Sequence, residues 1–261
     1  MQKIIRLLLI LLPVSGHYVY SGQTGTVANF SFGLTFYAMQ SSPCPQYPEG
    51  LCLADSAPPC TQVALVSDTG ICSVTTLYRF HYDHPGGGDF EATVLKGSRE
   101  CLKDAHVAVL GVDIGAIRLL SLKEDQSPVR KDLPSRAREL LKRWMTTEEK
   151  SETRVGDIEQ NPLSSSPPKM FTVGDITMLR FALNEEAEQF RTDGPIVLYF
   201  KDQVFRLEGW CTGDPVFFSV NDKIHIAFRS WCCGCGQRIL YVYDLSGSTP
   251  KIVYENDKLS D

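Results

Sequence analysis

Two short stretches hold most of the side chains able to do chemistry. His81-Tyr82-Asp83-His84-Pro85, with Asp89 beyond three glycines, gathers two imidazoles and two carboxylates around one loop. Imidazole nitrogen and carboxylate oxygen are donors that suit divalent metals, so His81, Asp83 and His84 are the candidate metal ligands. Along a straight strand His81 and His84 have opposite parity. Both reach one ion only if the chain turns at Asp83. The competing reading is a polar strand end followed by a solvated loop.

The second concentration is sulfur. Nine cysteines, Cys44, Cys52, Cys60, Cys72, Cys101, Cys211, Cys232, Cys233 and Cys235, are all disulfide candidates in an oxidising compartment. Nine is odd, so at least one is free, bridged to another chain or bound to something. Cys44, Cys52 and Cys60 recur every eight residues among five prolines, where regular structure is suppressed and covalent staples are needed. Cys211 with the Cys232–Cys235 cluster would cross-link or bind metal. A structural zinc site wants four ligands in two paired spacings, which this cluster does not supply, and a redox Cys-x-x-Cys beside a βαβ unit is absent.

Other catalytic signatures are missing. There is no Gly-x-Ser-x-Gly elbow, no glycine loop followed by Lys-Ser/Thr, and no strand-to-helix Gly-x-Gly-x-x-Gly. Leu110-Gly111-Val112-Asp113-Ile114-Gly115 resembles the first phosphate loop of actin-like and sugar-kinase ATPases. It departs from that family where Ala116 and Ile117 replace the small residue and Thr or Ser that should follow.

The start of the chain has the layout of a secretory leader: Lys3 and Arg6, an apolar run from Leu7 to Leu12, Pro13, then small residues at Ser15 and Gly16. Residues 1–16 are therefore expected to be removed, leaving His17 first. The run is far shorter than the roughly 20 residues of a membrane span, so no stable membrane anchor is expected. A terminal His17 would offer an α-amino group and an imidazole to copper. It resembles in that one residue the N-terminal His of lytic polysaccharide monooxygenases and of some periplasmic copper proteins.

The 261 residues carry 43% hydrophobic and 22% charged side chains, which is globular composition, and a net charge of −5, which does not suit a nucleic-acid binder. Short β-branched and aromatic runs dominate. Thr61–Val66 and Ile71–Tyr82 flank an Asp68-Thr69-Gly70 turn as a hairpin requires, with Tyr78, Phe80 and Tyr82 sharing one face and Arg79 and His81 the other. Leu133, Ala137, Leu140, Leu141 and Trp144 form one helical stripe, with Asp132 as cap and Pro134 in the first turn. Thr146–Lys169 reads as a linker, and the basic side chains around the helix, Arg138 among them, as a solvated face.

The expected fold is mainly β (α+β): antiparallel sheets of short strands in a sandwich, barrel or propeller-like arrangement, with one amphipathic helix. The expected divisions are 17–125, β-rich with the Pro/Cys loop; 126–170, helix and linker; and 171–261, β-rich. The absence of a complete catalytic motif favours an exported, periplasmic or extracellular, disulfide-stabilised binding or interaction protein without cofactor. Its partner would be a protein or a cell-surface ligand. The alternative is an extracellular metal-dependent hydrolase or oxidase using a divalent metal.

Overall fold

The computed structural model describes residues 17–21, 27–31, 34–39, 51–53, 61–83, 89–96, 105–124, 132–148, 163–183, 194–209, 211–231 and 237–260. Strands β1 (His17–Ser21) and β2 (Val27–Ser31) pair as an antiparallel hairpin. The next six strands are β3 (Thr35–Ala38), β4 (Leu51–Leu53), β5 (Gln62–Ser67), β6 (Ile71–Asp83), β7 (Asp89–Lys96) and β8 (Ala105–Leu110). They form one sheet in the order β3-β8-β5-β6-β7-β4. A bridge between Met39 and Leu53 brings its two edges together, so the sheet curls into a nearly closed barrel.

Alternation assigns each barrel strand an inside and an outside. Met39, Leu53, Val63, Leu65, Val74, Leu95, Ala108 and Leu110 fill the interior. Phe36, Ala38, Ala64, Val66, Val107 and Val109 point outward, yet they are just as buried. What covers them comes from the far end of the sequence.

That cover is a sheet with the order β19-β18-β17-β16-β9, with β15 also pairing β17. It contains β9 (Ile117–Leu120), and its later strands are β15 (Cys211–Thr212), β16 (Val216–Val220), β17 (Lys223–Trp231), β18 (Gln237–Asp244) and β19 (Lys251–Ser260). One face, with Val216, Phe218, Val220, Ala227, Leu240 and Val242, packs on the barrel. The other, with Phe217, Ile226, Phe228, Tyr241 and Tyr243, packs on a third sheet. The middle sheet is thus buried on both sides, which is why β16 is apolar on both faces apart from Ser219.

The third sheet runs β10-β11-β12-β13-β14, built from β10 (Lys123–Glu124), β11 (Lys169–Val173), β12 (Ile176–Arg180), β13 (Ile196–Phe200) and β14 (Gln203–Arg206). Helix α1 (Leu133–Glu148) closes its outer face: Leu133, Ala137 and Leu141 pack on Leu179, Phe181 and Val197. The carbonyl of Asp132 accepts the amide of Arg136 at 3.0 Å, while its carboxylate lies 3.7 Å from the Arg136 guanidinium.

The architecture is mainly β with antiparallel sheets and, among the described residues, one α-helix, as expected. Barrel and stacked meanders coexist in it. The expected boundary at 125 follows β10, and both β9 and β10 hydrogen-bond to strands beyond it.

Two local expectations change. The segment expected as a linker from Thr146 is helical to Glu148, and at its far end Leu163 is buried and bridged to Leu183; residues 149–162 lie outside the described residues. Arg138, expected on a solvated face, donates to the carbonyls of Ser164 (2.9 Å) and Ser166 (3.0 Å) and lies over Phe181.

Tight turns set the meander registers. Lys201-Asp202 and Asn221-Asp222 join β13 to β14 and β16 to β17, all four residues at positive φ between 49° and 62°. This is the geometry two-residue hairpins need to match strand twist. Lysine rarely adopts it. The Lys201 ammonium is held by the carbonyls of Ser246 and Gly247 on the neighbouring sheet's β18–β19 turn.

Candidate functional site

The metal candidates stand at one end of the β6–β7 hairpin. In its register Glu91 is the backbone partner of His81, and Asp89 that of Asp83. Asp83 is still a strand residue, and His84 lies outside the described residues. Glu91 was missed because cross-strand neighbours depend on register, which the 84–88 connection sets. Counting back from an Asp83/Asp89 pair would have found it.

The other histidines stand apart. His17 opens β1 opposite Ser31. His106 is the extra residue of a bulge between the pairs Val66/Val107 and Ser67/Ala105. His225, on β17, is 1% exposed and lies in the seam between barrel and middle sheet. Its ring sits 5.3 Å from Phe36 of the barrel and is stacked at 5.5 Å on Phe218. Nδ1 is 3.0 Å from the carbonyl of Lys223, an acceptor, so Nδ1 carries the proton and Nε2 the lone pair. Burial lowers its pKa, against the opposing pull of Asp244 and of the Lys223 carbonyl. Asp244 itself is pushed up by burial, but hydrogen bonds from the Ser246 hydroxyl and amide bring it below the ordinary carboxylate value. Among the described residues no group of three or more His, Cys, Asp and Glu side chains is arranged to hold a metal ion.

The sulfur candidates divide. Cys52, Cys72 and Cys211 are each disulfide-bonded. Cys44, Cys60, Cys101, Cys232, Cys233 and Cys235 lie outside the described residues. Cys211 is buried and stands opposite Trp231, the residue before the Cys232–Cys235 cluster. It belongs to the apolar cluster of Leu179, Phe181 and Val197 beneath α1, and hydrogen bonds tie the chain around it. Ser230 donates to the Cys211 carbonyl (3.1 Å), Thr212 to that of Gly194 (2.7 Å), and buried Arg180 to Asp214 (2.7 Å).

Asp113, in the stretch that resembles a phosphate loop, caps a single 3-10 turn: its carboxylate accepts the amide of Gly115 at 2.7 Å, and Gly111 has φ 82°. The strand–turn–strand geometry commits that carboxylate to its own backbone.

Two exposed apolar side chains sit at breaks in the β ladder. Leu77 and Tyr78 together oppose Val94, and Tyr78 is 44% exposed. The extra residue interrupts the alternation expected from Ile71 to Tyr82. Val253, 39% exposed, is the additional residue between the pairs Tyr243/Ile252 and Val242/Tyr254. Bulges re-aim side chains in this way.

No family model, curated protein or solved structure matches the chain. Among the described residues no helix is long and apolar enough to cross a membrane.

Proposed function

We propose that this chain is an exported, disulfide-stabilised binding protein without catalytic activity, whose partner is a protein or a cell-surface ligand. The observation that carries this reading is the presentation of Tyr78 and Val253 by bulges in otherwise well-packed sheets. An apolar side chain held out by rigid backbone contacts a partner with little loss of entropy. The leader-like start and the bonded sulfurs of Cys52, Cys72 and Cys211 support export into an oxidising compartment.

The test places a photo-crosslinking amino acid at Tyr78, at Val253 and, as control, at exposed Ser73 on the same strand as Tyr78, in protein made with its own leader. A discrete adduct from the first two positions and none from the third is expected. Equal yields at all three would overturn the reading.

A second reading, an extracellular metal-dependent hydrolase or oxidase, rests on the donor chemistry of one stretch of sequence. A divalent metal would be held there by His81, Asp83 and His84. Metal analysis of protein recovered from the exporting compartment decides it: one equivalent of metal, lost on His81→Ala, replaces the first reading with the second.

A further inference from the structure

His225 belongs to neither reading, and its place in the fold gives it a separate role. A register row crosses the middle sheet from Leu119 through Phe218, His225 and Asp244 to Lys251. On this row the imidazole is the group pressed between the middle sheet's Phe218 and the barrel's Phe36. The surrounding seam is apolar: Ala64, Val66, Val107 and Val109 on the barrel side, Val216, Val220, Ala227 and Val242 on the other. Close by, two hydrogen bonds cross between the sheets. The amide of Ala38, on the barrel's β3, donates to the Tyr254 hydroxyl of β19 at 3.0 Å, and the Arg229 guanidinium of β17 donates to the Met39 carbonyl at 2.9 Å.

We propose that the seam between barrel and middle sheet is an acid-sensitive joint, closed while His225 is neutral and loosened when its Nε2 takes a proton. The charged and titratable groups around the ring are few. Asp244 faces it from β18, with Lys251 of β19 beyond; Lys223 and Arg229 lie on its own strand; Tyr254 of β19 stands on the same sheet face. The facing residues of β16 and β3, Phe218 and Phe36, do not titrate. Asp244 and the ring faces favour an imidazolium, but the carboxylate is also committed to Ser246 and burial opposes the charge more strongly. A protonated ring therefore gains by reaching water, which requires the sheets to part.

The sign follows from linkage. The opened joint takes up a proton near the ordinary histidine value of about 6.5 and the closed joint only below it. Closure is therefore complete above that pH and weakens as pH falls from there toward the depressed value of the closed state. An exported chain meets such changes directly.

The Ala38 amide is a built-in reporter, because its hydrogen bond ends on the other sheet. Its hydrogen-exchange protection, corrected for intrinsic rate, is measured from pH 7.5 to 5 in the full chain and in His225→Phe, which keeps an aromatic ring there. Protection should fall in the wild type by up to about tenfold per pH unit below pH 6.5, and stay level in the variant. A level wild type, or an equal fall in both, overturns the proposal. Should His225→Phe not fold, nitrogen NMR of the wild-type histidines serves instead. A depressed His225 titration that coincides with loss of Ala38 protection supports the joint. Titration at the ordinary value with Ala38 still protected overturns it.

Discussion

The guanidinium of Arg206 lies 3.8 Å from the centroid of the Trp144 ring, so the last turns of α1 are fastened to β14 by a cation on an aromatic face. The same guanidinium holds both carboxylate oxygens of Glu208, at 3.0 and 2.9 Å, and the Glu208 amide donates to the Tyr243 hydroxyl at 2.8 Å. Helix, third sheet and middle sheet meet through these contacts.

Arg206→Ala should lower stability by about 2 kcal/mol, most of it from the lost stacking of a largely buried cation. Arg206→Lys should recover less than half, because a compact ammonium neither stacks flat nor grips a carboxylate with two bonds. Urea denaturation followed by tryptophan fluorescence measures both.

Gly209 has φ +91°, and a Cβ there would lie 1.9 Å from Ser230 Oγ and 2.5 Å from its Cβ. Gly209→Ala should cost about 3 kcal/mol or more, combining left-handed strain with a collision against backbone-anchored Ser230. Pairing it with Ser230→Gly removes the collision and leaves the strain. The double variant should therefore be less destabilised than the sum of the two single changes in thermal unfolding.

Tyr254→Phe leaves two donors without their acceptor, the buried Ala38 amide and the Asn256 side-chain amide. Stranding them should cost about 1–3 kcal/mol, seen as a lower denaturation midpoint with unchanged slope. Asn256→Ala in the same background should show less than additive loss, since both side chains act through one hydroxyl.

Burial, with the Glu255 and Glu208 carboxylates, pushes the Tyr241 phenol up to about 12. The unfolded chain ionises near pH 10 and the folded chain later, so this tyrosine's contribution is complete below pH 10 and is lost as pH rises toward 12. Tyr241→Phe should flatten that alkaline decline. Wild-type ultraviolet titration should show a delayed phenolate step that moves to lower pH in denaturant.

Strand positions and the helix stripe were readable because they rest on local periodicity: Leu133, Ala137 and Leu141 lie on one buried face. The β5–β6 hairpin followed from its turn residues, and Val66 does face Ile71. Long-range pairing was not readable. No local pattern tells that Ile117–Leu120 pairs with Val216–Val220, or that Phe36 meets His225 across a sequence distance of most of the chain. Bulges hid the rest. One extra residue at Leu77/Tyr78 breaks the alternation read along that strand, and Glu91 is seen opposite His81 only once register is known.

The barrel is synthesised long before its cover. Its outward residues Ala64, Val66, Val107 and Val109 are complete by β8, while β16 begins at Val216, roughly a hundred residues later. At ~5–20 residues per second this interval is about 5–20 s. A barrel formed within that interval would show water the apolar wall that the final strands later cover.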